Sequence, residues 1–311
     1  MTINNAFPIS RARFLRLAAG TAAALALGPS FGQPRAAPAR MATRAIPNGS
    51  GALPVIGLGT WQGFDVAAGT PEYARLGGVL QALFDAGGSV IDSSPMYGRA
   101  EAVAGALLSE AKARDKAFVA TKVWTRGRAE GIRQMEESMR LMRADPIDLM
   151  QVHNLVDWRT QLATLRDWKA AGRVRQIGVT HYTSGAYAEL EAVLKAERLD
   201  FVQVNYSPDE PGAADRILPL AAGRGIAVLV NRPFGGGGLL RRLRDRPLPP
   251  WAAEIGAASW AQVVLKWVLS HPAVTCAIPG TSRPEHMADN AAAGAGTAPD
   301  AAFWRRHTIP S

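Results

Sequence analysis

The sequence predicts an α/β fold, a single (β/α)8 TIM barrel, on three observations. Short apolar or β-branched runs alternate with longer segments of helical spacing from about residue 53 onward. Such alternation is typical of parallel sheets whose strands are joined by helices. The chain has 311 residues, 48% of them hydrophobic, so it can bury the core of such a barrel without disulfides.

The eight predicted strands are mostly apolar on both faces, as strands covered on both sides should be. The first, PVIGLGT, covers 54–60, and the second, SVIDSS, covers 89–94. The others are rich in valine and isoleucine and cover 117–123, 147–153, 174–180, 201–206, 226–231 and 274–280.

Each strand is followed by a segment with helical spacing. These predicted helices cover 71–86, 99–113, 127–143, 158–171, 184–197, 211–223, 259–270 and 284–293. Gly172 and Gly225 lie just past two of them, where helix C-terminal caps favour glycine. An open, doubly wound sheet is the alternative, but it would carry G-x-G-x-x-G after its first strand, and GLGTW does not match.

The N-terminal 44 residues are interpreted as a targeting leader, and residues 45–311 as the barrel. A basic segment, SRARFLR, precedes a short apolar segment at 17–28 and then small residues and prolines. This order is typical of a secretory signal and too short for a permanent membrane span. Arg11 and Arg13 resemble a twin-arginine signal, although Ala12 separates them. We expect a periplasmic protein, or a cytoplasmic one if the leader is not functional.

The net charge of +9 does not indicate a nucleic-acid partner. Residues 1–44 carry six arginines and no acid, so the remainder has 29 basic residues against 26 acidic ones. A nearly neutral barrel lacks the basic surface that such partners require. The single cysteine, Cys276, lies in an apolar run and is predicted to be a core residue rather than a nucleophile.

Polar residues fall at the predicted C-terminal strand ends, where barrels carry their function. They are Thr60, Asp92, Lys122, His153, Thr180, Gln203 and Asn231. An isolated buried charge is costly, so Lys122 and Asp92 need each other or another partner.

Tyr97 follows Asp92 by five positions. An ammonium beside a phenol eases loss of its proton, and an imidazole such as His153 can hydrogen-bond a substrate oxygen. The alternative interpretation is a purely structural ion pair between Lys122 and Asp92.

Four motifs in order carry a family resemblance: D-x4-Y from Asp92 to Tyr97, the lysine of ATKVW, the histidine of DLMQVHN, and IPGTSRPEHMADN. Together they resemble the aldo-keto reductase family from about residue 43 to residue 293. The resemblance implies an NAD(P)H-dependent carbonyl reductase. Its catalytic tetrad would be Asp92, Tyr97, Lys122 and His153, with Tyr97 as the proton donor.

The loops at 232–244 and 280–290 would hold the cofactor. The first is rich in glycine, which lets backbone N–H groups approach phosphate oxygens, and the second opens a helix whose N-terminus favours an anion. With the strand ends, the expected cofactor contacts are Thr60, Thr180, His181, Gln203, Asn231, Arg232, Gly235, Gly280, Thr281, Ser282, Arg283, Glu285 and Asn290.

Within this set, the resemblance assigns Gln203 to the nicotinamide carboxamide and residues 280–290 to the adenosine end. Arg283 favours the 2′-phosphate of NADPH over NADH. The chain departs from the family at two places. Thr180-His181 replaces a serine–asparagine pair, and Asn231-Arg232 stands where a tyrosine stacks on the nicotinamide.

Trp61, Trp124 and Trp158 follow three of the strands and are predicted to line the substrate pocket. Packing roles are the alternative for each. The short C-terminal segment indicates an open, permissive pocket for aromatic or aliphatic carbonyls.

Two rival functions keep the barrel. One is a cofactor-binding, redox-sensing subunit with little turnover. The other is a metal-dependent hydrolase using Asp92, His153 and His181, which lacks the usual ligand spacing.

Overall fold

The computed structural model describes residues 40–310. The first element of the described residues is an antiparallel hairpin of β1 (Thr43–Ala45) and β2 (Ala52–Pro54). The buried side chains of Ile46 and Leu53 pack with Leu149 and Phe201 of later strands. The hairpin therefore packs against the N-terminal end of the barrel interior, opposite the rim where the predicted functional residues lie.

Eight parallel strands form the barrel in sequence order. Bridges from Ile56 to Ala277 and from Gly59 to Gly280 join its first and last strands, which confirms the predicted (β/α)8 fold. The strands are β3 (Leu58–Gly59), β4 (Val90–Asp92), β5 (Phe118–Val123), β6 (Ile147–His153), β7 (Val174–Thr180), β8 (Phe201–Asn205), β9 (Ala227–Asn231) and β10 (Val274–Ala277).

The first predicted strand, 54–60, is shorter in the structure. Residues 52–54 pair with β1, and only Leu58–Gly59 pairs with β4. Between these two segments the chain packs closely on β4: a Cβ on Gly57 would lie 2.7 Å from Cβ of Val90, so this position requires glycine. The apolar run therefore serves two sheets rather than one.

Residues before the predicted boundary at 45 already take part in the barrel domain. Met41 is buried and Thr43 already pairs with Pro54. Residues 40–44 therefore belong to the barrel domain. The rest of the predicted leader, residues 1–39, lies outside the described residues.

Ten α-helices are present between residues 40 and 310. They are α1 (Pro71–Asp85), α2 (Ala100–Glu110), α3 (Arg128–Met142), α4 (Trp158–Ala170), α5 (Tyr187–Ala196), α6 (Ala213–Gly223), α7 (Gly238–Leu243), α8 (Trp260–Leu269), α9 (Pro284–Ala292) and α10 (Ala301–Arg306). All eight predicted helices are confirmed within a few residues. In this part of the chain no helix combines the length and the apolar character needed to cross a membrane.

Two helices were not predicted, α7 and α10. α7 follows directly on a run of glycines, which are poor helix formers. α10 begins at a cap in which Asp300 accepts a hydrogen bond from the N–H of Phe303 at 2.8 Å. Both helices have only six residues, fewer than two turns, which is too short for periodicity to detect.

The interior layer of the barrel contains Cys276, which is fully buried. Burial raises the pKa of its thiol above the ordinary value, so it stays protonated. The prediction that Cys276 is a core residue is confirmed.

Candidate active site

The ends of three neighbouring strands bring predicted residues together at one rim of the barrel. Asp92 ends β4, Lys122 is next to last in β5, and His153 ends β6. Tyr97 follows in the turn between β4 and α2. The first three are buried and Tyr97 is partly buried.

Lys122 and Asp92 form a buried ion pair. Lys122 Nζ donates to Asp92 Oδ2 at 2.7 Å and to the carbonyl oxygen of Ser93 at 2.5 Å. Burial opposes the charge of Lys122, but Asp92, Tyr97 and Glu101 together raise its pKa above the ordinary value. The lysine is therefore an ammonium group, and the predicted pairing with Asp92 is confirmed.

The ring of Tyr97 lies against both Lys122 and His153. Lys122 Nζ is 5.2 Å from the ring centroid, and the His153 ring meets it edge-on at 5.8 Å between centroids. Burial raises the pKa of Tyr97 above the ordinary 10.0, while the charge of Lys122 lowers it. The prediction of an eased proton is right for the lysine's contribution but wrong for the net effect, because burial is larger. In the free site Tyr97 is a protonated phenol.

His153 is a neutral imidazole. Burial, with the positive charge of Lys122 and the neighbouring His181, lowers its pKa to about 2. Ser94 Oγ lies 2.9 Å from His153 Nδ1 and also accepts from the N–H of Met96 at 3.4 Å. The hydroxyl hydrogen of Ser94 is then available for Nδ1, which places the ring hydrogen on Nε2, where it can be donated to a substrate oxygen.

The second oxygen of Asp92 is held by two buried amides. Gln203 Nε2 donates to Oδ1 at 2.9 Å, and Gln151 Nε2 donates to it at 3.2 Å. Gln151 was not predicted, although it stands two residues before His153 and so on the same face of β6. Ser94 was missed as well, since its contact with His153 depends on the turn after β4.

Thr60, the residue after β3, supports this arrangement. Its Oγ1 donates to the carbonyl oxygen of Asp92 at 3.1 Å and lies 2.9 Å from Ser93 Oγ. The side chain is fully buried. Thr60 therefore fixes the backbone after Asp92.

An apolar rim surrounds the site. Four large hydrophobic side chains in the described part of the chain are exposed: Trp61 at 55%, Met96 at 39%, Trp124 at 41% and Tyr182 at 45%. All four are in loops that follow barrel strands, and the Trp124 ring lies 6.4 Å from that of His153. Met96 and Tyr182 were not predicted.

Comparison with known proteins decides the family. Residues 55–305 match the model described as the Aldo/keto reductase family. The chain belongs to the aldo-keto reductase family. It is therefore an oxidoreductase by descent.

Curated relatives of this aldo-keto reductase include the methylglyoxal reductase YeaE of Escherichia coli. The two are 30% identical over 253 residues, which is 79% of this chain and 87% of YeaE. The aldo-keto reductase YhdN of Bacillus subtilis is 30% identical over 191 residues, 56% of each chain.

Two solved structures from Klebsiella pneumoniae are also similar. An aldo-keto reductase in complex with NADPH has a TM-score of 0.70 and 28% identity, covering 82% of this chain and 89% of its own. A second, in complex with NADP and acetate, has a TM-score of 0.68 and 29% identity, and the match covers 78% of this chain and 87% of that protein.

The loop after β9 of this aldo-keto reductase needs its glycines. Gly235, Gly236 and Gly237 have φ values of 58°, 67° and 86°, a region where other residues are strained. A Cβ on Gly236 would lie 3.3 Å from Arg232 Nη2. Arg232 itself has a φ of 48°, and its buried Nε has no hydrogen-bond partner between residues 40 and 310.

The loop after β10 contains the other expected cofactor residues. Gly280 lies against β3, where its Cβ would be 3.2 Å from the carbonyl oxygen of Gly59. Thr281 Oγ1 accepts from the N–H of Arg283 at 3.1 Å, and Arg283 Nε is 3.8 Å from Glu285 Oε1. Ser282 follows Thr281 in this loop, and Asn290 is buried in α9.

The residues expected at the nicotinamide form a connected group at the ends of β7, β8 and β9. Asn231 Nδ2 donates to Gln203 Oε1 at 3.3 Å and to the carbonyl oxygen of His181 at 3.2 Å. Thr180 Oγ1 lies 3.5 Å from Gln203 Oε1. Asn231 and His181, which lie at the two places where the chain departs from the family pattern, are therefore in contact with each other.

Trp158, the third tryptophan predicted for the substrate pocket, is not among the exposed side chains of the apolar rim. It is the first residue of α4, packs against the main core, and has the guanidinium of Arg159 at 4.2 Å from its ring. Its described contacts are those of a packing residue.

A metal site is not favoured by the geometry. Within residues 40–310, no three His, Cys, Asp or Glu side chains are grouped as ligands for a metal ion. Asp92, which the hydrolase interpretation requires, is already held by Lys122 and two amides.

Proposed function

We propose that the protein reduces an aldehyde or ketone to an alcohol, with hydride from NADPH and a proton from Tyr97. The observation that carries the proposal is the protonated phenol of Tyr97 held against the Lys122 ammonium and the neutral His153 at an open barrel rim. NADP complexes of two similar proteins support the choice of cofactor.

The tetrad residues divide the chemistry. When bound, NADPH supplies the hydride. His153 donates a hydrogen bond to the carbonyl oxygen and so orients the substrate. As negative charge develops on this oxygen, Tyr97 transfers its phenolic proton to it. Lys122 stabilises the phenolate that remains, and Asp92 keeps the lysine charged and in place.

Two features of the structure fit a dinucleotide. The unpartnered Nε of Arg232, in the glycine-rich loop after β9, is a donor for an anion. The buried Oδ1 of Asn231 is an acceptor with no partner in the described part of the chain. We assign Gly235 and Arg232 to the pyrophosphate and Gly280, Thr281, Ser282, Arg283, Glu285 and Asn290 to the adenosine end.

NADPH is proposed over NADH because of Arg283. Its side chain is 58% exposed and its contact with Glu285, at 3.8 Å, is too long for a hydrogen bond. A guanidinium in this state can bind the 2′-phosphate. Titration with both cofactors tests the assignment. Arg283→Gln should lower the affinity for NADPH by about tenfold and leave the affinity for NADH unchanged.

The substrate is proposed to be a carbonyl with an apolar body. Trp61, Trp124, Met96 and Tyr182 give the rim an apolar surface that a small polar aldehyde does not require. Several relatives are methylglyoxal reductases, so methylglyoxal is the reference compound. We expect a larger kcat/KM for aromatic aldehydes than for methylglyoxal.

Consumption of NADPH by the purified protein, with the alcohol identified as product, tests the proposal. A panel of aromatic, aliphatic and small dicarbonyl compounds should include at least one good substrate. The departures at residues 180–181 and 231–232 favour a second candidate, a redox-sensing subunit. Tight binding of NADPH with no consumption across the panel would support that candidate instead.

We also propose export of the protein through a twin-arginine-type signal. The support is the order of basic, apolar and small residues in 1–39 and the buried Met41, which requires any cut to lie before it. N-terminal sequencing of the native protein from fractionated cells tests this; an intact Met1 in the cytoplasm would contradict it.

A further inference from the structure

A chain of buried amides runs across the barrel rim, and the carboxylate of Asp92 fixes its direction. Asp92 Oδ1 can only accept, so Gln203 turns its Nε2 toward it, at 2.9 Å. The Oε1 of Gln203 must then face the other way. Gln203 is only 2% exposed, so no solvent competes for these contacts.

Asn231 continues the chain. Because Gln203 Oε1 accepts, Asn231 presents its Nδ2 there, at 3.3 Å, and the same Nδ2 donates to the carbonyl oxygen of His181 at 3.2 Å. Both hydrogens of the Asn231 amide are thereby used. Its Oδ1 is left buried, with no donor among residues 40–310.

His181 has the opposite property. Its Nδ1 accepts from the backbone N–H groups of Tyr182 at 3.1 Å and Thr183 at 3.3 Å. A neutral ring so held carries its hydrogen on Nε2. Burial lowers the pKa of His181, so the ring is neutral at pH 7 despite the opposing charge of Glu189. His181 is also close enough to His153 to influence its pKa.

We infer that Asn231 Oδ1 and His181 Nε2–H together bind the carboxamide of the nicotinamide cofactor. A primary carboxamide needs an acceptor for its N–H and a donor for its C=O, and these two residues supply one of each. The inference rests on the proposed function. It replaces the direct role that the family resemblance gives to Gln203, whose amide groups are both engaged within the protein.

The unpartnered acceptor gives this contact its strength. A buried oxygen without a donor destabilises the free site, and a ligand that brings an N–H removes that penalty. Since Asn231 Oδ1 is shielded from water in the free site, a side chain that covers it must move on binding, while Asn231 keeps its contacts with Gln203 and His181. Gln203 links Asn231 to Asp92, and Asp92 in turn pairs with Lys122.

Equilibrium binding without turnover tests the inference. NADP+ is compared with its 3-acetylpyridine analogue, which keeps the C=O but lacks the N–H. We expect the wild-type protein to bind NADP+ about tenfold more tightly than the analogue, the effect of one buried hydrogen bond. Quenching of tryptophan fluorescence gives both dissociation constants.

Two variants have different expected signatures. Asn231→Leu should bind NADP+ and the analogue equally, within about twofold, since it has no acceptor. His181→Phe keeps the ring but loses the donor to the C=O that both ligands have. This variant should bind both NADP+ and the analogue about five- to tenfold more weakly, and the ratio of the two dissociation constants should stay unchanged.

Adenosine 2′,5′-bisphosphate, which has no nicotinamide, serves as the control ligand. Its affinity should be the same in wild type and both variants, which also shows that they are folded. Equal binding of NADP+ and the analogue by the wild type overturns the inference alone, as does a ratio retained in Asn231→Leu. Failure of the wild type to bind NADP+ overturns the proposed function together with it.

Discussion

At the scale of single residues, burial and charge act in opposite directions on Tyr97. Burial raises the pKa of its phenol and the Lys122 charge lowers it, with burial the larger effect. The tyrosine therefore holds its proton until it is needed. The neutral His153, with a pKa of about 2, can donate a hydrogen bond but is not the acid that transfers a proton at ordinary pH.

This arrangement predicts a simple pH profile for carbonyl reduction. Tyr97 must be protonated to act, and its pKa lies above 10.0, so kcat should be constant from about pH 6 to pH 9 and fall only at higher pH. Steady-state rates across this range measure it. An inflection near the ordinary histidine pKa of 6.5 would show that His153 titrates, against its buried, neutral state.

Removal of Lys122 should destabilise the fold as well as the chemistry. Lys122→Met leaves the buried Asp92 carboxylate without its counterion, which costs about 3–5 kcal/mol of unfolding free energy. Urea denaturation measures the loss, and Asp92→Asn in the same chain should recover part of it. Lys116→Met, at an exposed lysine, is the control and should change stability by less than about 0.5 kcal/mol. Equal losses of unfolding free energy in Lys122→Met and Lys116→Met would contradict a stabilising role for the buried ion pair.

The residues of the site were predictable to different degrees. Asp92, Lys122 and His153 lie at or next to the ends of buried strands, where a polar residue is unexpected without a function. Gln151 follows from strand alternation once His153 is placed. The hydrogen bond of Ser94 to His153, and the larger effect of burial on Tyr97, depend on turn geometry and depth that no spacing in the sequence contains.

At the scale of elements, the loop after β9 is built on backbone conformations that only glycine adopts readily. Its short helix α7 begins directly after these glycines, which is why periodicity did not predict it. The N–H groups of Gly235 and Gly237 donate to the carbonyl oxygens of Arg232 and Phe234, both at 2.9 Å, so these conformations fix the turn that carries Arg232.

Gly236→Ala should therefore weaken NADPH binding. Alanine is strained at a φ of 67°, and its Cβ would crowd Arg232 Nη2, so we expect about tenfold lower affinity and about 1 kcal/mol lower stability. Gly256→Ala is the matched control, with a φ of 62° and no atom near its Cβ. It should lose similar stability but keep NADPH affinity. A parallel loss of affinity in both variants would remove the loop from the cofactor site.

At the scale of the whole molecule, alternation of apolar runs and helical segments was enough to predict the (β/α)8 barrel, because each β-α unit repeats the same pattern. It did not separate β2 from β3, since one apolar run crosses from the N-terminal hairpin into the barrel. It also placed the domain boundary too late, because Arg44 resembles the leader in composition but functions in the fold.

Arg44 joins the hairpin to the segment between α8 and β10. Its guanidinium donates to the carbonyl oxygens of Leu269, His271 and Val274, at the end of α8 and the start of β10. Arg44→Met should lower the unfolding free energy by about 2–4 kcal/mol, because these carbonyls lose their donor. The rate of reduction should be unchanged, since Arg44 is at the N-terminal end of the barrel.

Thermal or urea denaturation of Arg44→Met beside Arg40→Met, an exposed neighbour, checks this prediction. Similar stability of the two variants would mean that the hairpin contributes little to the barrel.

The role of Tyr97 as proton donor is tested most directly by the Tyr97→Phe variant in single-turnover reduction with saturating NADPH. The phenyl ring keeps the packing against His153 and removes only the hydroxyl. We predict a reduction rate about 10²- to 10⁴-fold below wild type, with NADPH affinity unchanged within about twofold. A variant that reduces the same carbonyl at a rate close to wild type would contradict the account.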